Sequence, residues 1–475
     1  MQTLPAFVFR LLTLIAFLYA SATSPSFRTA IGAERTLEDK VNEQVQPYLA
    51  NGAIKGLTIG IYHHQQPKVY GFGTIGNETN IKPNGTTIYE IGSISKVFTG
   101  ILLGDAVTRG EIRLDQPIQD FLPEGIRAPT LDGISIAFKH LATHTSGLPR
   151  LPSNMKSADD ANPYADYTTD QLFDFLNHYT LERRPGFKSE YSNYAVGLSG
   201  QLLARAAGAS YEELLQQRVA QPLGLKDTTI SLSQEQSKRL ALPHHADNTP
   251  AANWDIPVLA GAGAIRSTVN DMLRFIQANL HPPQSELGEA IELAWSIHQP
   301  PLEATDFAMG LGWHVARDGS TRWHNGQTGG YHSMMFVNRQ FDAGVVVLAN
   351  TATGEVDRLA EDLIKVLAGA TVTPRVFEVT KKVSPEAMQR YVGKFELVPG
   401  FVLTVSVVND QLMVGATGQP TFQVFARSET EWFYQVVKAT LTFDVDESGN
   451  CDALDLFQNG IHQAARRVEP QEKDR

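Results

Sequence analysis

Among its 475 residues the chain has one cysteine, Cys451. A lone thiol forms no intrachain disulfide and builds no thiolate metal cluster. Cys451 is expected to be a packed small residue rather than a reactive thiol. No metal and no cofactor are expected from the sequence. An apolar run of about 20 residues, the length needed to span a bilayer, is also missing. Positive charge is scarce: 40 Lys and Arg stand against 51 Asp and Glu, a net charge of −11 at pH 7. Such a chain repels phosphate backbones and anionic lipid, so neither nucleic acid nor a membrane surface is expected as a partner. There is no internal repeat and no low-complexity tract.

The composition is globular, with 42% hydrophobic and 19% charged residues. The length allows a large core and a second domain. At the N-terminus, Arg10 precedes the apolar run LLTLIAFLYA, and Ala20-Ser21-Ala22 gives a small-x-small cleavage site. This predicts a signal peptide over residues 1–22, a periplasmic or secreted location, and no stable membrane insertion once it is removed. A retained membrane anchor is the alternative. Asn77-Glu78-Thr79 and Asn84-Gly85-Thr86 match the glycosylation sequon, which matters only in a eukaryotic secretory pathway.

Apolar periodicity predicts helices at about 36–50, 93–109, 169–179, 192–207, 210–220, 268–280 and 355–369. Ser210 and Glu213 have the spacing of a capping box. Strands are expected within 56–74 and again within 310–350, in the segments GLGWHVA, STRWH, HSMMFVN and GVVVLAN. This order predicts an α/β fold for residues 36–370: an antiparallel sheet with flanking helices and an all-α insertion. Residues 371–384 read as a linker. Residues 385–470 alternate strongly over seven short strands, which predicts a small all-β sandwich or barrel.

Three motifs carry chemistry. In Tyr89-Glu90-Ile91-Gly92-Ser93-Ile94-Ser95-Lys96, Ser93 sits where a helix should begin. Lys96, three positions later, falls on the same face. A serine hydroxyl is a poor nucleophile until a neighbouring base takes its proton, and a lysine of lowered pKa can do this. By itself the pattern reads more readily as a capped helix with a solvated lysine. In Tyr191-Ser192-Asn193, the phenol can relay a proton and the Asn193 amide can bind Lys96 or a substrate carbonyl. Alone, these residues also read as a helix start. In Trp323-His324-Asn325-Gly326-Gln327, the glycine permits close backbone approach and His324 can donate to a substrate oxygen or carry charge at mildly acid pH. Alone, this is a glycine-rich hairpin with a surface histidine.

In order and spacing, the three motifs resemble those of the serine β-lactamase and penicillin-binding protein superfamily, whose signatures include S-x-x-K. The block YEIGSISK resembles that of class C β-lactamases, and Tyr191-Ser192-Asn193 matches their Tyr-x-Asn. His324-Asn325-Gly326 stands where those enzymes have Lys-Thr-Gly. The stretches LATHTSGLP at 141–149 and PLGLKDTT at 222–229 are similar too. The resemblance covers about residues 40–370, and the C-terminal part resembles a β-rich domain appended to some relatives. It implies a cleft between an α/β domain and an all-α domain, with an acyl-enzyme on Ser93. It implies proton shuttling by Lys96 and Tyr191, substrate contacts from Asn193, His324 and Gly326, and an oxyanion hole from the N–H groups of Ser93 and Gln327. The substrate is expected to be a small molecule or a peptidoglycan fragment.

The departure is His324. The family's lysine helps bind a substrate carboxylate, and histidine also occurs there in relatives acting as esterases or D-amino-acid peptidases. A class C-like β-lactamase is the first reading. A D-alanyl-D-alanine carboxypeptidase, D-amino-acid peptidase or carboxylesterase is the second, and a penicillin-binding sensor that stays acylated is the non-enzyme alternative. Activity is expected to follow protonation of His324. His144 reads as structural. His63 and His64, adjacent in a strand, are expected on opposite faces and so form a poor metal pair. His244 and His245 are expected in a solvated loop. Asn350 and Arg358 are candidates to meet a substrate carboxylate.

Overall fold

The computed structural model describes residues 35–76, 81–378, 380–434 and 437–468. The expected signal peptide and the sequon at Asn77 lie outside the described residues. Among the helices of the main domain are α1 (Leu37–Ala50), α2 (Ser95–Thr108), α3 (Asn193–Ala207), α4 (Val269–Leu280) and α5 (Glu355–Leu367). The strands of its large sheet are β1 (Gly56–His63), β2 (Gln66–Gly73), β3 (Ala308–Met309), β4 (His314–Val315), β5 (Thr321–Gln327), β6 (His332–Asn338) and β7 (Ala343–Ala349).

These strands form one antiparallel sheet in the order β2-β1-β7-β6-β5-β4-β3. The first strand therefore pairs with the last, Leu57 opposite Ala349 and Ile61 opposite Val345. Both faces are covered. Ile59, Ile61, Val345 and Val347 pack against Val41 and Val45 of α1 and Leu359 of α5. Val346 and Leu348 point the other way, into the core shared with Val269 and Leu273 of α4. Cover on both sides explains why β7 is apolar and buried throughout rather than alternating.

The β1–β2 turn corrects one expectation. His64 and Gln65 both have left-handed backbone, φ 48 and 62, as a two-residue hairpin turn requires. Alternation of faces holds only inside the strand, which ends at His63. The His63 and His64 rings stack at 4.0 Å instead of diverging. The expected helix at 210–220 is also interrupted. It starts at Tyr211 behind the Ser210–Glu213 capping box and widens into a π-turn at Gln216–Ala220. Pro222 explains the widening, because it has no N–H to give and its ring crowds the carbonyl four residues earlier.

Helix α2 runs through the centre of the domain, buried from Ser95 to Ala106. Phe98 stacks on Phe275 of α4 at 4.1 Å. Two glycines let other backbone approach: a Cβ at Gly100 would collide with the Leu311 carbonyl, and one at Gly104 with that of Ala290. Asp105, fully buried, is held by Arg109 at 2.9 Å and Arg218 at 3.0 Å.

Past the main domain, Arg375 pairs with Glu355 and Phe377 packs edge-on against Tyr48 at 5.3 Å. Eight strands, from Gly393–Val398 to Ile461–Val468, then close into an antiparallel barrel around Phe395, Leu441 and Phe443. The expectation was seven strands. The eighth, Ile461–Val468, buries only Ala465 fully, so it shows no apolar alternation to read. It nonetheless closes the barrel by pairing with both Cys451–Gln458 and Gly393–Val398.

Because Gly100 lies under backbone rather than a side chain that can turn away, Gly100→Ala should overpack the α2 contact and cost about 2 kcal/mol. Urea unfolding monitored by circular dichroism should show the lowered midpoint.

Candidate active site

Ile88–Glu90 pairs with Arg266–Thr268 and delivers the chain to a short 3-10 turn, Gly92–Ile94, that opens into α2. Ser93 sits on this turn, at the electropositive end of the helix. Gly92 has φ +50, and Gly326 on β5 lies against the same turn. A Cβ on Gly326 would collide with the Ile91 carbonyl and come within 2.8 Å of the Ser93 nitrogen; one on Gly92 would be 2.7 Å from the Gln327 nitrogen. The two glycines thus bring the Ser93 and Gln327 backbones side by side. The Ser333 hydroxyl, donating to the Ile91 carbonyl at 2.8 Å, ties β6 to the same turn.

Lys96 is fully buried. Its Nζ lies 3.0 Å from Ser93 Oγ, 2.8 Å from Asn193 Oδ1 and 2.7 Å from the Ala262 carbonyl oxygen. Burial, and then the nearby Arg150 charge, hold its pKa well below the ordinary lysine value. A neutral amine has two N–H bonds and one lone pair. The Asn193 and Ala262 oxygens can only accept, so they take the two hydrogens and leave the lone pair facing the Ser93 hydroxyl. Asn193 is the first residue of α3, whose Ser192 cap accepts from the Ala195 N–H.

The Tyr191 ring stands 4.7 Å from Lys96 Nζ, and its phenol is close enough to hydrogen-bond Ser93. Burial pushes the phenol above its ordinary pKa, while the Ser93 bond and Arg150 oppose the rise. His144 holds this segment in place. Its backbone carbonyl accepts from Glu190 N–H at 2.8 Å, and its Nδ1 accepts from Ser192 N–H at 3.2 Å. These bonds clamp the residues on either side of Tyr191, whose ring packs 4.4 Å from the imidazole. His144 does so with φ 58, a conformation unusual for a residue with a side chain.

His324 is brought into the same cluster, 6.3 Å from the Tyr191 ring, but not as a surface histidine. Its Nδ1–H donates to the Asn325 carbonyl at 2.6 Å, so Nε2 carries the lone pair. Burial first, then His314 and Lys96, hold its pKa well below the usual histidine value. Burial therefore works against the charging at mildly acid pH that the sequence suggested for His324. His314, missed in the sequence, packs 5.0 Å from the His324 ring and is itself pushed down to about 4 by burial and by Lys96.

The cleft beside Ser93 is lined by Tyr164, Asn193, Trp254, Ile256, Leu259, Ala262, Gly263 and Gln327. Buried Glu90 fixes its aromatic wall, accepting from the Trp254 N–H at 3.1 Å and the Asn253 amide at 3.0 Å while pairing with Arg266 at 3.2 Å. The Asn325 and Gln327 side chains turn away from the cleft. Asn325 donates to Asp357 at 2.9 Å, and His332 links the same carboxylate, at 2.7 Å, to the Gln327 amide. That leaves Gln327 its backbone N–H for a substrate.

Three other expectations change. Asn350 is buried, donating to the Thr74 and Leu242 carbonyls, so it meets no substrate. Arg358 lies on α5 and pairs with Asp362 at 3.8 Å. His244 is buried, with Nδ1 3.0 Å from the Asn350 carbonyl oxygen, and only His245 is exposed. No group of three or more metal-ligating side chains is assembled among the described residues.

The clamp around Tyr191 makes a specific expectation. His144→Ala should lower the rate of Ser93 acylation about 100-fold while leaving the circular dichroism spectrum native. His144→Asn, which keeps an acceptor for the Ser192 N–H, should recover part of the loss in stopped-flow assays.

The sequence model of the beta-lactamase family matches residues 41–370, and a domain of unknown function, DUF3471, matches 378–474. A beta-lactamase of Escherichia coli K12 is 31% identical over 312 residues, covering 64% of this chain and 76% of that protein. The D-alanyl-D-alanine-carboxypeptidase/endopeptidase AmpH of the same organism is 29% identical over 265 residues, covering 55% of this chain and 66% of that one. A crystal structure of a beta-lactamase/D-alanine carboxypeptidase from Yersinia pestis superposes with a TM-score of 0.62 at 25% identity, over 70% of this chain and 99% of that one. The matched span contains each of the residues gathered around Lys96, and the chain belongs to the beta-lactamase family of serine hydrolases.

Proposed function

We propose that this enzyme hydrolyses a small amide through an ester on Ser93, with β-lactams as the first substrate class. The observation that carries the reading is the set of three oxygens around Lys96 Nζ, which turns a neutral amine's lone pair toward Ser93. Lys96, assisted by Tyr191, takes the hydroxyl proton as Ser93 Oγ attacks the carbonyl carbon. The Ser93 and Gln327 N–H groups stabilise the oxyanion, a contribution of about 3 kcal/mol per donor in measured cases. The C–N bond breaks, and the proton passes through the same pair to the leaving nitrogen. Water then attacks the ester carbon, passing its proton to Lys96 by way of Tyr191; the bond to Ser93 Oγ breaks, and the same proton returns to that oxygen.

A second reading, hydrolysis of D-alanyl peptides or of esters, is favoured by His324. A buried, neutral imidazole whose Nδ1–H is spent on the Asn325 carbonyl does not replace the lysine's charge. The carboxypeptidase names of AmpH and of the Yersinia pestis protein point the same way. The export signal read at residues 1–22 places the enzyme, on this proposal, where β-lactams and cell-wall peptides are met. No helix among the described residues is long and apolar enough to cross a membrane.

Ser93→Ala should abolish covalent labelling by a fluorescent penicillin, read by intact mass spectrometry. Labelling that survives would assign the chemistry to another nucleophile. Lys96→Ala should slow acylation at least about 1000-fold. The pH dependence has a definite sign. Acylation should fall on the acid side as Lys96 gains its proton, with a midpoint well below the ordinary lysine value. KM should stay flat between about pH 5 and 8, where histidines ordinarily titrate. A KM that follows a histidine-like titration would show that His324 charges after all.

A further inference from the structure

With the His324 Nδ1–H spent on the Asn325 carbonyl and its Nε2 buried, β5 offers a substrate carboxylate no side-chain donor at position 324. Lys96 is committed to two carbonyl oxygens. Among the described residues, Arg150 is a cation close to these groups. The Arg150 guanidinium carbon lies 5.1 Å from the centre of the Tyr191 ring. Its backbone is fixed to the start of α3, the carbonyl accepting from Asn193 N–H at 3.0 Å and Tyr194 N–H at 3.2 Å. These bonds hold the Arg150 segment against the one that carries Tyr191 and Asn193. The side chain is exposed, and it makes no ion pair among the described residues. Its charge is felt by Lys96, His144, Tyr164 and Tyr191, which puts it at the cleft rather than on a remote surface. A guanidinium presents a planar fork of donors that matches a carboxylate, and arginine keeps its charge at every pH the enzyme meets.

We infer that Arg150 is the carboxylate anchor of this enzyme: the substrate carries a free carboxylate, which the guanidinium binds beside Tyr191 in place of a lysine on β5. The inference rests on the acyl-serine reading and narrows it to carboxylate-bearing substrates. It also fills the role that neither Asn350 nor Arg358 is placed to take.

The test uses the whole chain and a matched pair of substrates, a chromogenic cephalosporin with its free carboxylate and the methyl ester of the same compound. The measured quantity is the ratio of kcat/KM for acid over ester in the parent, Arg150→Gln and Arg150→Lys. The ratio should fall at least about ten-fold in Arg150→Gln, through KM for the acid, and recover in part in Arg150→Lys. An unchanged ratio overturns the assignment. So does an equal loss on both substrates together with an upward move of the acid limb of the pH–rate profile, which would make Arg150 only an electrostatic neighbour of Lys96. A parent enzyme that prefers the ester, or turns over only p-nitrophenyl acetate, overturns it as well. If neither cephalosporin nor p-nitrophenyl acetate forms an adduct on Ser93, the acyl-serine reading itself fails and the anchor goes with it.

Discussion

The Nζ of Lys96 lies out of water between one hydroxyl and two oxygens that can only accept, and the rest of the cleft is arranged around that contact. Burial lowers the pKa of Nζ and so favours the neutral amine, and the two acceptors then fix the direction of its lone pair. Neither effect suffices alone. An exposed lysine would stay charged, and a buried amine without fixed acceptors would have no set orientation. Each partner comes from a separate part of the chain: Ser93 from the turn before α2, Asn193 from the start of α3, and Ala262 from the segment that leads into the Arg266–Thr268 strand. The α/β and all-α parts of the domain must therefore pack correctly before the amine has its geometry. Chemistry and tertiary structure are coupled at that one atom.

Imidazoles supply a second constraint. His144, His314 and His324 gather within a few ångströms of Tyr191 and Lys96, and burial keeps each from its ordinary pKa. Were one of them to charge, the desolvated site would hold a cation that competes with the lysine for protons. Keeping them neutral makes them polar packing. His144 positions the tyrosine segment, and His324 spends its Nδ1–H on the Asn325 carbonyl.

Much of this was legible in the chain. The i, i+3 spacing of Ser93 and Lys96 is a local fact, and a helix turns it directly into proximity. The strands of the main sheet and seven of the barrel strands announce themselves through apolar runs or alternation. What stayed hidden came from tertiary packing. The Ala262 contact uses a backbone carbonyl, which every residue has and no pattern marks. Arg150 reads as one surface arginine among many until the fold lays it against Tyr191. His324 looked like a titrating surface residue because nothing in HNGQ shows how deeply β5 is covered. His63 and His64 were misjudged because the strand ends between them, and the final barrel strand was missed because its side chains are mostly solvated.

That last strand has a mechanical consequence. By joining Gly393–Val398 to Cys451–Gln458 it leaves the C-terminal unit with no open sheet edge. A closed ring of strands cannot recruit another chain by extending its ladder, and it resists the edge-to-edge association that threatens open sheets. Any molecule that docks on this unit must be recognised by side chains on the barrel wall or by the loops at its ends. The unit can then hang from the catalytic domain without offering it, or a second copy, a backbone to pair with.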